Sequence, residues 1–541
     1  MTITDYAFFG CRQLPAIVLP KSLTVIGQSA FENCYNLSAI TSKATTPPVC
    51  GTGAWNGVAK DNFTVEVPEQ SVVKYQTQNG WSDFRRIAAH RDFSISRPQL
   101  RLLNARHSET YVMRAPSGEA WSVESAPEWV TVTPSSGVGK MDVTVTVNEM
   151  SAAEVGTFQS RTGGTVANPT YKSYNGRAGE VVFLLNDKDY RTKMTVEQFD
   201  YEYGDGDVLV HQSATEGKGV NIVFMGDCFD ARDVADGSYL AGIEEAIGYY
   251  FAIEPYKTYK PYFNIYTIFG VSKDSGMGTV NTVKESKFGS MYSLEGIAPD
   301  HAICYEYAMK AENVNEDNLS QTLVVLVENT EDYGGICYMW GDGSAIACCP
   351  MSRDAYPYDF RGIVQHEAGG HGFGKLADEY IYHNAFIQSC TCTCCEHLDS
   401  FRASKALGWY RNLSEVGDMK SVEWAHLIYH PDYSNIVDMY EGGFFHTRGI
   451  YRSEATSCMN NNIPYYSAIS RQEMVERIMK YAGKEFSLEE FYAKDVRDAS
   501  NNTVSPSRLH VEENAITLKG ASKQLPPKYM GDKPQLKKSN K

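Results

Sequence analysis

The hydrophobic pattern changes its period along this chain, and each change marks a domain. Near the N-terminus, Ala7 and Phe8 align with Ala30 and Phe31, Cys11 with Cys34, Leu14 with Leu37 and Ile17 with Ile40, always 23 residues apart. A repeat of that length predicts a solenoid, in which each unit buries its apolar face against the next. Residues 1–91 form this segment, with residues 43–89 as its terminal unit. From about residue 92 to residue 200 the period becomes two. Val130 and Val132 alternate with Thr131 and Thr133, and Val143, Val145 and Val147 alternate with Thr144 and Thr146. Gly, Ser and Pro separate these runs, which predicts a β-sandwich. Residues 151–177 read as an inserted polar loop.

After residue 208 the apolar runs are continuous rather than alternating. Residues 220–225, 263–269 and 323–327 are short enough for buried strands, and residues 235–251 have helical spacing. Strands alternating with helices predict a three-layer α/β domain over residues 208–490. Residues 500–541 are rich in Asn, Ser, Pro and Lys and read as a disordered tail. The fold class is therefore multidomain: a β-rich repeat remnant, a β-sandwich and an α/β domain.

Composition narrows the function. The 541 residues carry 50 Lys and Arg against 66 Asp and Glu, a net charge of −16, which argues against nucleic acid as a partner. No apolar run is long enough to span a membrane. The start shows neither the basic nor the apolar region of an export signal. Of the 13 cysteines, four crowd into Cys390-Thr391-Cys392-Thr393-Cys394-Cys395. They read as a stapled loop or, alternatively, a second metal site or disulfide cluster. Cys11 and Cys34 read as buried small hydrophobes.

The chemistry concentrates at Gln365-His366-Glu367-Ala368-Gly369-Gly370-His371. Zinc peptidases use His-Glu-x-x-His, because histidines four apart share one helical face and the Glu between them reaches a metal-bound water. Here the histidines are five apart, and on a regular helix they diverge by roughly 140°. Five is the spacing of a π-type turn, and π-bulges occur at functional sites. The glycine pair loosens the segment where the extra residue must fit. We therefore expect an expanded helix with both imidazoles on one metal. A catalytic zinc site needs a third protein ligand. Asp378 and Glu379 are the candidates after the Gly374 turn. Asp378 is preferred, and Glu379 is assigned to orienting a ligand imidazole.

Three resemblances sharpen this reading. The repeat, with Leu19-Pro20 and Ile26-Gly27, resembles the BspA-like leucine-rich repeats of bacterial surface proteins. The sandwich, around Pro127-Glu128-Trp129, is similar to BACON domains, which implies glycan or protein binding, or a spacer. Gly226-Asp227, Tyr333-Gly334-Gly335, His366-Glu367, Leu376-Ala377-Asp378-Glu379-Tyr380 and Tyr440-Glu441-Gly442-Gly443 resemble the IgA-specific metalloendopeptidase family. That metzincin-like group usually shows His-Glu-x-x-His, so this chain carries one residue more. The five-residue spacing is similar to that of the dipeptidyl peptidase III family. Ser457-Cys458-Met459-Asn460 resembles the Met-turn that lies beneath the metal in metzincins.

These resemblances imply an extracellular or surface zinc endopeptidase acting on a protein or glycoprotein, such as a mucin or an immunoglobulin. Zn2+ is held by His366, His371 and Asp378, and Glu367 is the general base. Tyr465 or Tyr466 is expected to stabilise the oxyanion, and residues 344–348 read either as an edge strand for substrate or as an ordinary sheet strand. Asp342 reads as a turn residue or a calcium ligand. The alternative is a non-catalytic adhesin with a degenerate peptidase domain.

Overall fold

The computed structural model describes residues 1–90, 93–164, 168–186, 190–279, 282–293, 296–391, 397–497 and 525–536. The chain divides into two compact units, Met1–Asp200 and Tyr201–Lys541.

The first unit opens with the solenoid. Ala16–Leu19, Ala39–Ser42, Thr64–Val67 and Arg86–Ala89 stack as a parallel sheet, in which Ala16 pairs with Ala39 and Ile17 with Ile40. The spatial repeat is therefore the sequence repeat. Phe8 stacks on Phe31 at 4.9 Å and Phe31 on Trp55 at 4.7 Å, so each coil lends its aromatic ring to the next. Cys34 is buried as expected, but Cys11 is exposed.

The sandwich follows in the same unit. One sheet holds Val130–Thr133, Met141–Val147, His107–Arg114 and Ser94–Ile95. The other is built on Ala120–Ser125, Pro169–Leu185 and Tyr190–Phe199. Trp121, Val143, Val145, Phe183 and Val196 fill the space between them. The described residues between 151 and 177 do not form the expected loop. Gly156–Gly164 pairs antiparallel with the first half of Pro169–Leu185, forming a long hairpin. Its residues are polar because both its faces meet solvent over most of its length, while Phe158, Tyr174 and Phe199 form an aromatic cluster at its base.

In the second unit we label the strands of the main sheet β1 (Val208–Gln212), β2 (Val220–Asp227), β3 (Phe263–Ile268), β4 (Leu323–Glu328), β5 (Ile336–Met339) and β6 (Ala345–Pro350). Their order is β1-β3-β2-β4-β6-β5, followed by the two-residue strand Lys528–Tyr529. The inner strands β2, β3, β4 and β6 are mutually parallel and buried along their whole length. That burial on both faces accounts for their unbroken apolar runs. Helix His301–Ala308 covers one face through Cys304, Tyr305 and Ala308. Helix Ser238–Tyr250 and the His366 helix pack against the strands as well.

Two expectations are resolved here. Residues 345–348 lie in β6, an ordinary interior strand between β4 and β5 rather than an edge, with Ser344 just before it. The tail is not wholly outside the fold. Within residues 525–536, Lys528 and Tyr529 pair parallel with Tyr338 and Met339 of β5, and Leu525 packs on the core. Two residues are too short a strand to leave a hydrophobic period in the sequence. Among the described residues no helix is long and apolar enough to cross a membrane.

Candidate metal centre

A helix entered from β6 carries the site. Asp359 caps it by accepting the Gly362 N–H, Phe360–Ile363 forms an α-turn, and Val364–Phe373 continues as a π-helix. At its end the Gly374 N–H donates to the Gly369 carbonyl, five residues back, at 2.9 Å. The wider turn restores the face that an α-helix would split. His366 and His371 have ring centroids 4.7 Å apart.

Glycines make this winding possible through close approach. None of Gly369, Gly370 and Gly372 has positive φ. A Cβ on Gly370 would strike the Met459 sulfur, one on Gly369 the Tyr466 hydroxyl, and one on Gly372 a Leu323 methyl. The glycine pair therefore serves packing as well as backbone freedom.

After the helix, Lys375 turns the chain with φ 55° and its ammonium donates to the Gly372 carbonyl. Asn412 grips Ala377 on both its N–H and its C=O, each at 2.9 Å. Asp378 is thereby returned to the histidines. Its Oδ1 lies 3.0 Å from His366 Nε2 and 3.2 Å from His371 Nε2. The opposite ring nitrogens face main-chain oxygens: His366 Nδ1 lies 3.0 Å from the Cys458 carbonyl, and His371 Nδ1 lies 2.8 Å from the Leu376 carbonyl. A carbonyl only accepts, so each Nδ1 carries a proton. In the neutral rings the two Nε2 lone pairs then point at one carboxylate oxygen. A cation resolves that repulsion.

Other atoms agree. Glu367 Oε2, His371 Nε2, Asp378 Oδ2 and the Tyr380 hydroxyl are buried without a hydrogen-bond partner among the described residues. Buried polar groups are rarely left so, and four within one short segment mark a place for an ion and its water. Burial, opposed by His366 and reinforced by Asp378, raises the Glu367 carboxyl to about 8. Burial alone would raise Asp378 too, but imidazolium forms of His371 and His366, donating from Nε2, outweigh it and would hold Asp378 at about 2; a metal cation in their place acts in the same direction. His366, His371 and Asp378 bring three ligand atoms close enough together to hold a metal ion, the number of protein ligands a catalytic zinc site uses.

Residues 208–430 match the family model of IgA Peptidase M64. The matched residues support a peptidase; they include the π-helix and Asp378 and end before Met459. Residues 1–52 match the BspA type leucine rich repeat region in six copies. No curated protein matches. Similar solved structures include WR4, an MSP family member of C. elegans (11% identity, 21% of this chain and 100% of that one, TM-score 0.14). They also include a Bacteroides ovatus GH5 xyloglucanase (13%, 43% and 44%, 0.15) and the Vibrio cholerae VesB protease (11%, 20% and 32%, 0.13). Scores this low carry no argument.

The remaining candidates divide. Met459 lies beneath the π-helix against Gly370, and its carbonyl accepts the Glu379 N–H. Glu379 does not orient an imidazole. Its oxygens accept from Asn412 Nδ2 at 2.9 Å and Ser457 Oγ at 2.6 Å, tying the post-helix segment to the Met459 turn. Neither Tyr465 nor Tyr466 faces the site: the first donates to Glu454, the second to the Gln365 carbonyl. Asp342 is a turn residue, accepting from the Ser344 N–H and hydroxyl. Of the clustered cysteines only Cys390 is described; Cys392, Cys394 and Cys395 lie outside the described residues.

A second group of possible ligands, Asp227, Cys228 and Glu328, is buried at the ends of β2 and β4. Its carboxylates are already occupied. Asp227 accepts from the N–H groups of Cys228, Lys287, Phe288 and Ser290, and Glu328 accepts from the Ser290 hydroxyl. This cluster anchors a loop.

Proposed function

We propose that this chain is a zinc-dependent endopeptidase, with His366, His371 and Asp378 as ligands and Glu367 as general base. The observation that carries this reading is the convergence of two Nε2 atoms, each fixed by a carbonyl behind it, on one oxygen of Asp378. The match to IgA Peptidase M64 supports it. Zinc at this position supplies Lewis acidity to the scissile carbonyl and acidifies a water. Glu367 accepts the proton of the attacking water and passes it to the leaving amine. A nearby cation favours its carboxylate form against the effect of burial. Met459 and the glycines hold the π-turn closed, and Asn412 holds Asp378 in place.

The substrate in this reading is a protein or glycoprotein, mucins and immunoglobulins being the first to try. The BspA-type repeats support a surface or secreted location, and the sandwich is a candidate glycan-contacting module. The test is metal analysis, together with cleavage of a mucin and immunoglobulin panel by the parent and by Glu367→Ala. About one zinc per chain, with cleavage lost in the variant, is expected. Equal cleavage by both removes Glu367 as the base. Absence of both metal and cleavage favours an adhesin.

A further inference from the structure

Tyr380 closes the Leu376-Ala377-Asp378-Glu379-Tyr380 segment, and its phenol has no assigned task in the mechanism above. The side chain is buried and held on three sides. Its ring lies 4.9 Å from that of Tyr382 and 5.2 Å from that of Phe445, and 6.3 Å from the His366 imidazole at an interplanar angle of 24°. Its carbonyl accepts the Phe445 N–H, so the backbone is fixed as well. Yet neither the hydroxyl nor Asp378 Oδ2 has a hydrogen bond of normal length and angle among the described residues, although the phenol lies near enough to the Asp378 carboxylate to interact with it. Burial pushes the phenol's pKa up, and Asp378 is the charged group that adds most to this; the same His366 ring that Tyr380 faces lies 3.0 Å from Asp378 Oδ1. An unsatisfied buried donor therefore neighbours an unsatisfied buried acceptor, and that acceptor belongs to a candidate metal ligand.

We propose that Tyr380 is a positioning residue whose hydroxyl donates to Asp378 Oδ2 in the metal-loaded protein, so that Asp378 ligates through Oδ1 alone. This rests on the zinc reading above. A carboxylate can offer a metal one oxygen or both. Here Oδ1 already faces both imidazoles, and engagement of Oδ2 would take the position that a water needs. A hydrogen bond from a rigid phenol holds Oδ2 away. Partners of this kind orient ligands and tune their affinity. The sequence points to Glu379 for orienting a ligand imidazole, but its oxygens are spent on Asn412 and Ser457.

The test compares the full chain with Tyr380→Phe, and with Tyr465→Phe as a buried-phenol control away from the ligands. Zinc affinity is measured by competition with a chromophoric chelator, and the visible spectrum of the cobalt(II)-loaded protein reports coordination number. For Tyr380→Phe, zinc affinity is expected to fall about 10- to 100-fold, with the cobalt bands weakening as a further ligand joins. Tyr465→Phe is expected to match the parent in both. Unchanged affinity and an unchanged cobalt spectrum in Tyr380→Phe overturn the proposal, even if turnover falls. A parent chain that binds neither zinc nor cobalt overturns instead the zinc reading on which it rests.

Discussion

Met459 lies so close to Gly370 that no side chain fits between them: a Cβ on Gly370 would overlap the Met459 sulfur. Residues almost ninety positions apart thus meet under the wide turn that separates His366 from His371. Gly370→Ala is expected to destabilise the fold by about 1–3 kcal/mol, the usual cost of overpacking a filled core. Met459→Ala in the same chain should recover part of that loss by making room. Denaturant midpoints of the two single variants and the double variant check this. Additive losses would show that the contact does not couple the two positions.

Metal should stabilise the fold. A ligand that binds only the native state adds about 2.7 kcal/mol at a hundred times its dissociation constant. Zinc is expected to raise the melting temperature of the chelator-stripped chain. His371→Ala should abolish that shift, because a ligand atom is gone. Glu367→Gln should keep it while hydrolysis falls by about 10²- to 10⁴-fold, the usual contribution of a general base. Scanning fluorimetry with and without zinc separates the two variants. Loss of the shift in Glu367→Gln would make Glu367 a ligand.

Away from the site, His301 gives the fold an acid-sensitive element. Its ring packs against Tyr338 at 4.4 Å and Trp340 at 5.2 Å, and Nε2 finds no partner among the described residues. Burial lowers its pKa to about 4 from 6.5; Asp300 opposes this and Lys528 adds to it. A depressed pKa means that the unfolded chain takes up the proton first. The stability contributed by neutral His301 is present above pH 6.5 and is lost as the pH falls toward 4. His301→Phe is expected to flatten the fall in melting temperature across that window. An unchanged slope would place the acid sensitivity in other groups.

Much of this architecture was legible in the sequence because side chains wrote it. The 23-residue repeat reappears as the register of Ala16 on Ala39, and the unbroken runs of β2 and β4 reappear as strands buried on both faces. The histidine spacing and the glycine pair imply a π-turn, and one is found. What escaped has a physical reason. The groups that fix the imidazoles are the carbonyls of Cys458 and Leu376, and every residue has a carbonyl. Glu379 could reach an imidazole from its sequence position; Asn412 and Ser457, distant in the chain, claim it instead. Sheet order depends on crossovers that no local pattern records, so the sequence leaves open whether β6 is an edge or an interior strand. The paired strands Gly156–Gly164 and Pro169–Leu185 are wet on both faces over most of the stretch they share and carry no clear alternation there.

The strand Lys528–Tyr529 offers a last check on the fold. It runs alongside β5, with the Met530 N–H donating to the Met339 carbonyl at 2.8 Å and the Gly341 N–H donating to the Gly531 carbonyl at 2.7 Å. With helix Leu398–Ala406, residues 527–530 also line a cavity of about 620 Å³. An unpaired edge strand is a template for association, and this short strand covers part of β5. Met530→Pro deletes the first donor while leaving every side chain of the core in place. The Gly341 amide is then expected to lose protection against hydrogen exchange, because its acceptor is carried by the same segment. Amides within β2 and β4 should keep theirs, since their partners are unaffected. The variant should also self-associate more readily as the β5 edge opens, which light scattering would detect. If the Gly341 amide stays as protected as in the parent, its bond to Gly531 does not depend on the Met530 contact, and the remaining contacts, including the Asp342 N–H to the Asp532 carbonyl and the packing of Leu525 and Leu536, hold the segment down.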